Sequence, residues 1–156
     1  MAENSELELD AGRFDVIMMA LSYHNLHYAA PQNVWPKIDT VKLLAKLYRD
    51  LKPGGTPAMI DHFAEAGAPR ETVGRLHRID PSIVVSELEA AGFVLDAKSG
   101  VLRNMHDDHG KPVFDPAVRG RTDRFVMRFR KPRWSAASLR SSGIALTLGA
   151  EHHGRP

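Results

Sequence analysis

The 156 residues suffice for one hydrophobic core and are too few for two independent ones. Hydrophobic residues at 43% and charged residues at 26% are ordinary for a soluble globular chain, and no run approaches the roughly 18 apolar residues of a membrane-spanning helix. Cysteine is absent, and 21 basic side chains nearly cancel 19 acidic ones, so disulfides, thiolate nucleophiles, thiolate metal sites and a strongly charged nucleic-acid surface are all excluded.

The chain opens on MAENSELELDAG, acidic and polar where a secretory leader would be basic and apolar, which fits a cytoplasmic location. Phe14 to Ala20, FDVIMMA, is a short apolar run. Phe14, Val16 and Met18 alternate with Ile17 and Met19, as in a strand of a parallel sheet that is apolar on both faces. LSYHNLHYAAPQN follows as a loop rich in histidine and tyrosine. A helix is predicted over Lys37 to Leu51. Ile38, Val41, Leu44, Ala45, Tyr48 and Leu51 form its apolar stripe, Lys42, Lys46, Arg49 and Asp50 face outward, and Pro36 takes the first turn. Lys52-Pro53-Gly54-Gly55 should end it, with a second strand over about Pro57 to Asp61.

Asp80 is placed to cap a helix that has Pro81 at its first position and Gly92 just past its end, with Val84, Leu88 and Ala91 inward. Phe93 to Lys98 and Arg124 to Arg130 read as a pair of antiparallel strands. In the second, Phe125, Met127 and Phe129 share one face. The excursion between them, Ser99 to Asp123, is too long for an idle connector and should cover a cleft or carry local structure. Residues 1–131 are expected to form the folded unit. Residues 132–156 carry Arg133, Arg140 and Arg155 against Glu151, hold the whole net positive charge, and read as a disordered tail.

This strand–helix–strand–helix–strand–strand order is an α/β pattern. If both helices lie on one face, the other face of FDVIMMA has no cover and its outer edge no partner, so the strand Phe14–Ala20 is a candidate homodimer contact.

FDVIMMALSYHNLHY, an amphipathic helix, and then LYRDLKPGGTPAMIDH resemble the C-terminal half of class I, Rossmann-like S-adenosylmethionine (SAM)-dependent methyltransferases. LHRIDPSIVVSELEAAGF and FDPAVRGRTDRFVMRFRKP resemble a bacterial group of predicted methyltransferases. The likeness covers about residues 7–131. It implies an α/β fold with a partial Rossmann-like sheet of parallel strands closed by an antiparallel last strand. The family's glycine-rich D-x-G-x-G-x-G loop, and the acidic residue that holds the ribose hydroxyls, have no counterpart in this sequence. The resemblance therefore implies SAM as cofactor, a small-molecule acceptor, and a truncated form with weak or no activity alone. An alternative is a non-catalytic half-domain that pairs with itself or with a separate N-terminal half. A nicotinamide-dependent oxidoreductase fragment explains the FDVI–LKPGG spacing less well.

In that family the loop after the FDVI strand borders the methyl group and the substrate. Ala20, Leu21 and Ser22 are then the candidates for cofactor contact, and Tyr23, His24 and Asn25 for orienting or deprotonating the acceptor. Asp61 and His62, ending the next strand on the same sheet edge, are candidates for substrate contact. Arg78, in the basic group Arg75, His77 and Arg78, could meet an anionic substrate; a solvated face is the plainer reading. His24, His27, His62, His106, Asp107, Asp108 and His109 lack a ligand framework and read as scattered loop residues, with no metal expected. Neither nucleic acid nor membrane is indicated.

Overall fold

The computed structural model describes residues 11–28 and 37–133. β1 (Phe14–Ala20) leads into a 3-10 turn (Tyr23–His27), then α1 (Thr40–Asp50) and β2 (Leu51–His62). A second 3-10 turn (Arg70–Thr72), the short α2 (Val73–Leu76), α3 (Pro81–Ala90), β3 (Val94–Ser99) and β4 (Arg124–Arg130) complete the described elements. Among the described residues the strands form one sheet in the order β1-β2-β4-β3. β1 runs parallel to β2, and β4 lies antiparallel to both of its neighbours. The expected α/β class and the inserted antiparallel last strand are both present.

Leu44 of α1 and Val84 and Leu88 of α3 share one core with Met59, Phe125, Met127 and Phe129 of the sheet. Both longer helices therefore cover the same face, and Ile17 and Met19 of β1 pack beneath them. The opposite face of β1 is open: Val16 is 58% and Met18 65% exposed. Phe14 sides with Ile17 and Met19 rather than with Val16, because the register breaks between Phe14 and Val16. The break lies opposite Lys52-Pro53-Gly54-Gly55. Phe14 aligns with Leu51 and Val16 already with Thr56, so these residues form a bulge within β2.

Several boundaries differ from the sequence reading. α1 begins at Thr40, where the Asp39 carboxylate accepts from the Lys42 N–H at 3.0 Å. That cap satisfies a helix-terminal donor which a proline start would leave to solvent. Val41 points away from the core at 79% exposure, while Asp50, expected outside, is buried against Lys46 and Arg49. β2 begins at Leu51 instead of near Pro57, since Gly54 and Gly55 bond Lys131 across to β4. The Lys131 ammonium donates to the carbonyls of Tyr48 and Leu51 at 2.6 Å, placing a cation at the α1 C-terminus where the helix dipole favours one. Phe93 precedes β3 and is buried. The expected tail lies, from 134 onward, outside the described residues. No helix among the described residues is long and apolar enough to cross a membrane.

Candidate active site

The carboxyl ends of β1 and β2 lie side by side because the two strands are parallel neighbours, and such an edge is where open α/β sheets present loops to ligands. Leaving β1, the chain turns sharply at Leu21, whose φ of +52° is left-handed, while its N–H still donates to the Ile60 carbonyl at 2.8 Å. Ser22 then opens the 3-10 turn that carries Tyr23, His24 and His27.

Asp61 organises this edge. It is fully buried, and its carboxylate accepts from the His24 backbone N–H, the His24 Nδ1 and the His62 backbone N–H, each at 2.8 Å. A carboxylate takes only donors, so it selects the His24 tautomer with the proton on Nδ1. In the neutral ring Nε2 then carries the lone pair. His24 Nε2 bonds no described group, and the His24 side chain is 6% exposed.

His62 points its Nδ1 to the Thr122 hydroxyl at 2.8 Å. Burial pulls its pKa down to about 4 against the opposing pull of Asp61, with His24 adding to the decrease, so the ring is uncharged near neutrality. Its centroid is 6.0 Å from that of His24. A third imidazole, His77, stands edge-on to His24 at 5.5 Å. Burial and the neighbouring His24 lower its pKa as well.

Tyr23 is completely buried and donates its hydroxyl to Glu87 of α3 at 2.8 Å. Burial and the Glu87 charge push the phenol far above its ordinary value, so this hydroxyl holds its proton. Glu87 also meets His27 Nε2 at 3.0 Å and takes Nε and a terminal nitrogen of Arg70. Burial works against its ionisation, and the bonds from His27, Arg70 and Tyr23 outweigh it. The turn is thus pinned to α3 by one shared carboxylate. Asn25 sits half-buried on the turn, and Ala20 and Leu21 are exposed on its rim.

Arg78 is neither a substrate contact nor part of a solvated face. It is fully buried, its guanidinium gripping Asp107 at 2.7 and 3.1 Å and the carbonyls of Lys111 and Phe63 at 2.8 and 3.0 Å. A longer bond to Asp108 O at 3.5 Å uses its remaining donor. Arg78 fastens the Ser99–Asp123 excursion to the end of β2. Asp123 reinforces that fastening, accepting from Arg103 at 2.8 Å, the Asn104 N–H at 2.8 Å and His109 at 3.2 Å.

The structure therefore brings together His24, Asp61 and His62 at one sheet edge and moves Tyr23 and Arg78 into supporting positions. Sequence reasoning missed Glu87, Thr122 and the role of His77. Each lies 50 or more residues along the chain from the group it touches here, apart from any local motif. Among the described residues no group of three or more His, Asp or Glu side chains is arranged to hold a metal ion.

No protein-family model and no curated protein matches the sequence. Solved structures do. A SAM-dependent methyltransferase from Methanosarcina mazei matches with a TM-score of 0.53 at 14% identity, over 84% of this chain and 65% of that one. A protein from Galdieria sulphuraria, assigned as a sarcosine dimethylglycine methyltransferase, matches with a TM-score of 0.53 at 17% identity, over 82% of this chain and 57% of its own. SpnF, a [4+2]-cyclase, matches with a TM-score of 0.50 at 20% identity, over 81% of this chain and 53% of its own. The chain spans between about half and two thirds of the length of these structures. The chain carries the class I SAM-dependent methyltransferase fold.

Proposed function

We propose that this chain forms the acceptor side of a site for methyl transfer from SAM. One observation carries the reading: in this fold, at the sheet edge where ligands bind, a buried carboxylate fixes a histidine whose Nε2 bonds no described group. Asp61 fixes Nδ1–H of His24, and His24 Nε2 can then hold the proton that an acceptor O–H or N–H gives up. Tyr23 positions the turn through Glu87, Asn25 lies on its rim, and His62 stands beside His24 as an uncharged wall. Ala20, Leu21 and Ser22 are the residues proposed to touch the cofactor.

The described residues do not by themselves fit SAM. The carboxylate at the ends of β1 and β2 that could take ribose hydroxyls is Asp61, and its oxygens are committed to three protein donors. None of the described helices opens from a glycine-rich turn; α1 and α3 open from Asp39 and Asp80. We therefore read residues 1–131 as a truncated, cytoplasmic half-domain that is weakly active or inactive alone, with a small molecule as acceptor.

Amide spectra recorded during a titration with S-adenosylhomocysteine test this. Shifts confined to Ala20, Leu21, Ser22 and their neighbours are expected, with a dissociation constant no tighter than about 1 mM, roughly −4 kcal/mol. Micromolar binding would overturn the one-walled site. Silence at those amides in saturating ligand would overturn the cofactor assignment. A second reading, a non-catalytic half-domain that pairs through β1, is favoured by the exposure of Val16 and Met18.

A further inference from the structure

We infer that the acceptor is a planar, uncharged aromatic molecule bearing a hydroxyl or ring N–H, stacked against His77, Tyr28 and Phe114 with its polar group on His24. This rests on the functional reading above for the word acceptor. The binding site itself is argued from four features of the structure.

First, His77 ends α2 at φ +52°, ψ +40°. The left-handed region is disfavoured for a residue with a Cβ, and glycine or asparagine is the usual occupant. His77 takes this position in place of the usual glycine and so carries a ring at the helix end. Second, that ring is set among aromatic faces. Its centroid lies 4.8 Å from Tyr28 at 32° and 4.9 Å from Phe114 at 66°, with His24 edge-on at 5.5 Å. These are the spacings at which π-systems attract one another.

Third, Phe114 is 60% exposed yet firmly placed. The neighbouring Val113 is buried and its N–H donates to the Leu76 carbonyl at 3.1 Å. Arg78 clamps the same excursion at Lys111 and Asp107. The long connector thus holds a phenyl ring against the imidazole that stands edge-on to His24. Fourth, three guanidiniums on the elements that carry the stack are engaged. Arg70 is spent on Glu87, Arg78 on Asp107 and Arg103 on Asp123, and the carboxylate of Asp61 is enclosed by His24 and His62. An anionic acceptor would find no unpaired guanidinium among these, whereas a flat neutral ring replaces solvent on apolar faces and needs one hydrogen-bond partner, His24 Nε2.

The test needs no cofactor. The full chain is titrated near neutral pH with naphthol, cyclohexanol, naphthoate and tetramethylammonium while long-range proton–nitrogen spectra follow the imidazole rings. Naphthol should move the ring nitrogens of both His24 and His77 and bind about tenfold more tightly than the other three. Phe114→Ala and His77→Asn, the latter keeping a residue that tolerates the left-handed backbone, should each weaken naphthol about fivefold, with the circular dichroism spectrum unchanged. Equal binding of cyclohexanol, preference for naphthoate or tetramethylammonium, or full affinity in His77→Asn overturns the inference. Because the S-adenosylhomocysteine titration reads Ala20–Ser22 and this one reads His24 and His77, either reading can fail while the other stands.

Discussion

His62 shows how one buried imbalance of charge gives the sheet edge its pH range. Its ring has a pKa of about 4 in the folded chain against 6.5 ordinarily, chiefly because burial disfavours the cation. As pH falls below 6.5 the unfolded chain takes up the proton first, so the folded state loses ground from there down to about 4 and no further below it. The span of pKa values corresponds to a loss of about 3 kcal/mol, and the lowered pKa of His77 acts in the same sense. The paired carboxylates Asp80, Glu87, Asp107 and Asp123 are held below their ordinary values, so their contribution fades at lower pH still. Urea unfolding at about pH 7 and about pH 5 should show the wild type losing stability on acidification, and His62→Gln losing on the order of half as much. Equal losses would mean the acid sensitivity lies elsewhere. At this scale the sequence was partly legible. Asp61, His62 and the Tyr23–Asn25 turn could be placed at one sheet edge because strand ends are local features. Glu87 could not be tied to Tyr23, 64 residues away, since a helix-surface glutamate looks the same whether it meets water or a phenol. Arg78 looked like a solvated charge for the same reason: nothing adjacent in sequence announces Asp107.

At the level of elements, the L-K-P-G-G run acts differently from its appearance. It reads as a helix stop followed by a turn, and it is a bulge at the start of a 12-residue strand. Gly54 sits at φ +83°, and a Cβ on Gly55 would lie 2.8 Å from the Lys52 carbonyl and 3.2 Å from the Asp15 carbonyl. Both obstacles are backbone, so Gly55→Ala must spread β1 from β2 and should cost about 1–3 kcal/mol, seen as a lowered thermal midpoint. An unchanged midpoint would show that the bulge yields freely. The excursion depends on Arg78 in a comparable way. Removing the guanidinium leaves Asp107, whose side chain is 0% exposed, without its partner, and loss of one member of a buried pair costs about 3–5 kcal/mol. Arg78→Ala is therefore expected to free residues 99–123, with trypsin cutting at Arg103, Arg119 and Arg121 well before it cuts elsewhere. Persistent resistance at those sites would sink the clamp. Periodicity located the two longer helices and three of the strands. The excursion was opaque because its order comes from ion pairs to distant elements rather than from any repeat of its own.

For the whole molecule, the one-sided placement of α1 and α3 matters most. The register puts Met18 beside Ala58, and Ile60 between Ala20 and Val126, so an apolar band lies on the face opposite the helices, bordered by Arg128 next to Ala58. Among the described residues β1 pairs with β2 alone, which leaves an edge strand flanked by exposed Val16 and Met18. Apolar patches of this kind mark association surfaces, and an unpaired edge supplies the hydrogen bonds to complete one. The open face could be anticipated from the crossover pattern, because FDVIMMA is apolar on both sides and both helices fall on one. Sedimentation at tens of micromolar is expected to show the chain as a dimer or larger. Val16→Lys and Met18→Lys should each shift it toward monomer with little change in thermal midpoint, since neither side chain contributes to the helix-covered core. A wild-type chain that stays monomeric under these conditions removes the case for pairing through β1. Association unchanged by both lysines would place the contact on another surface.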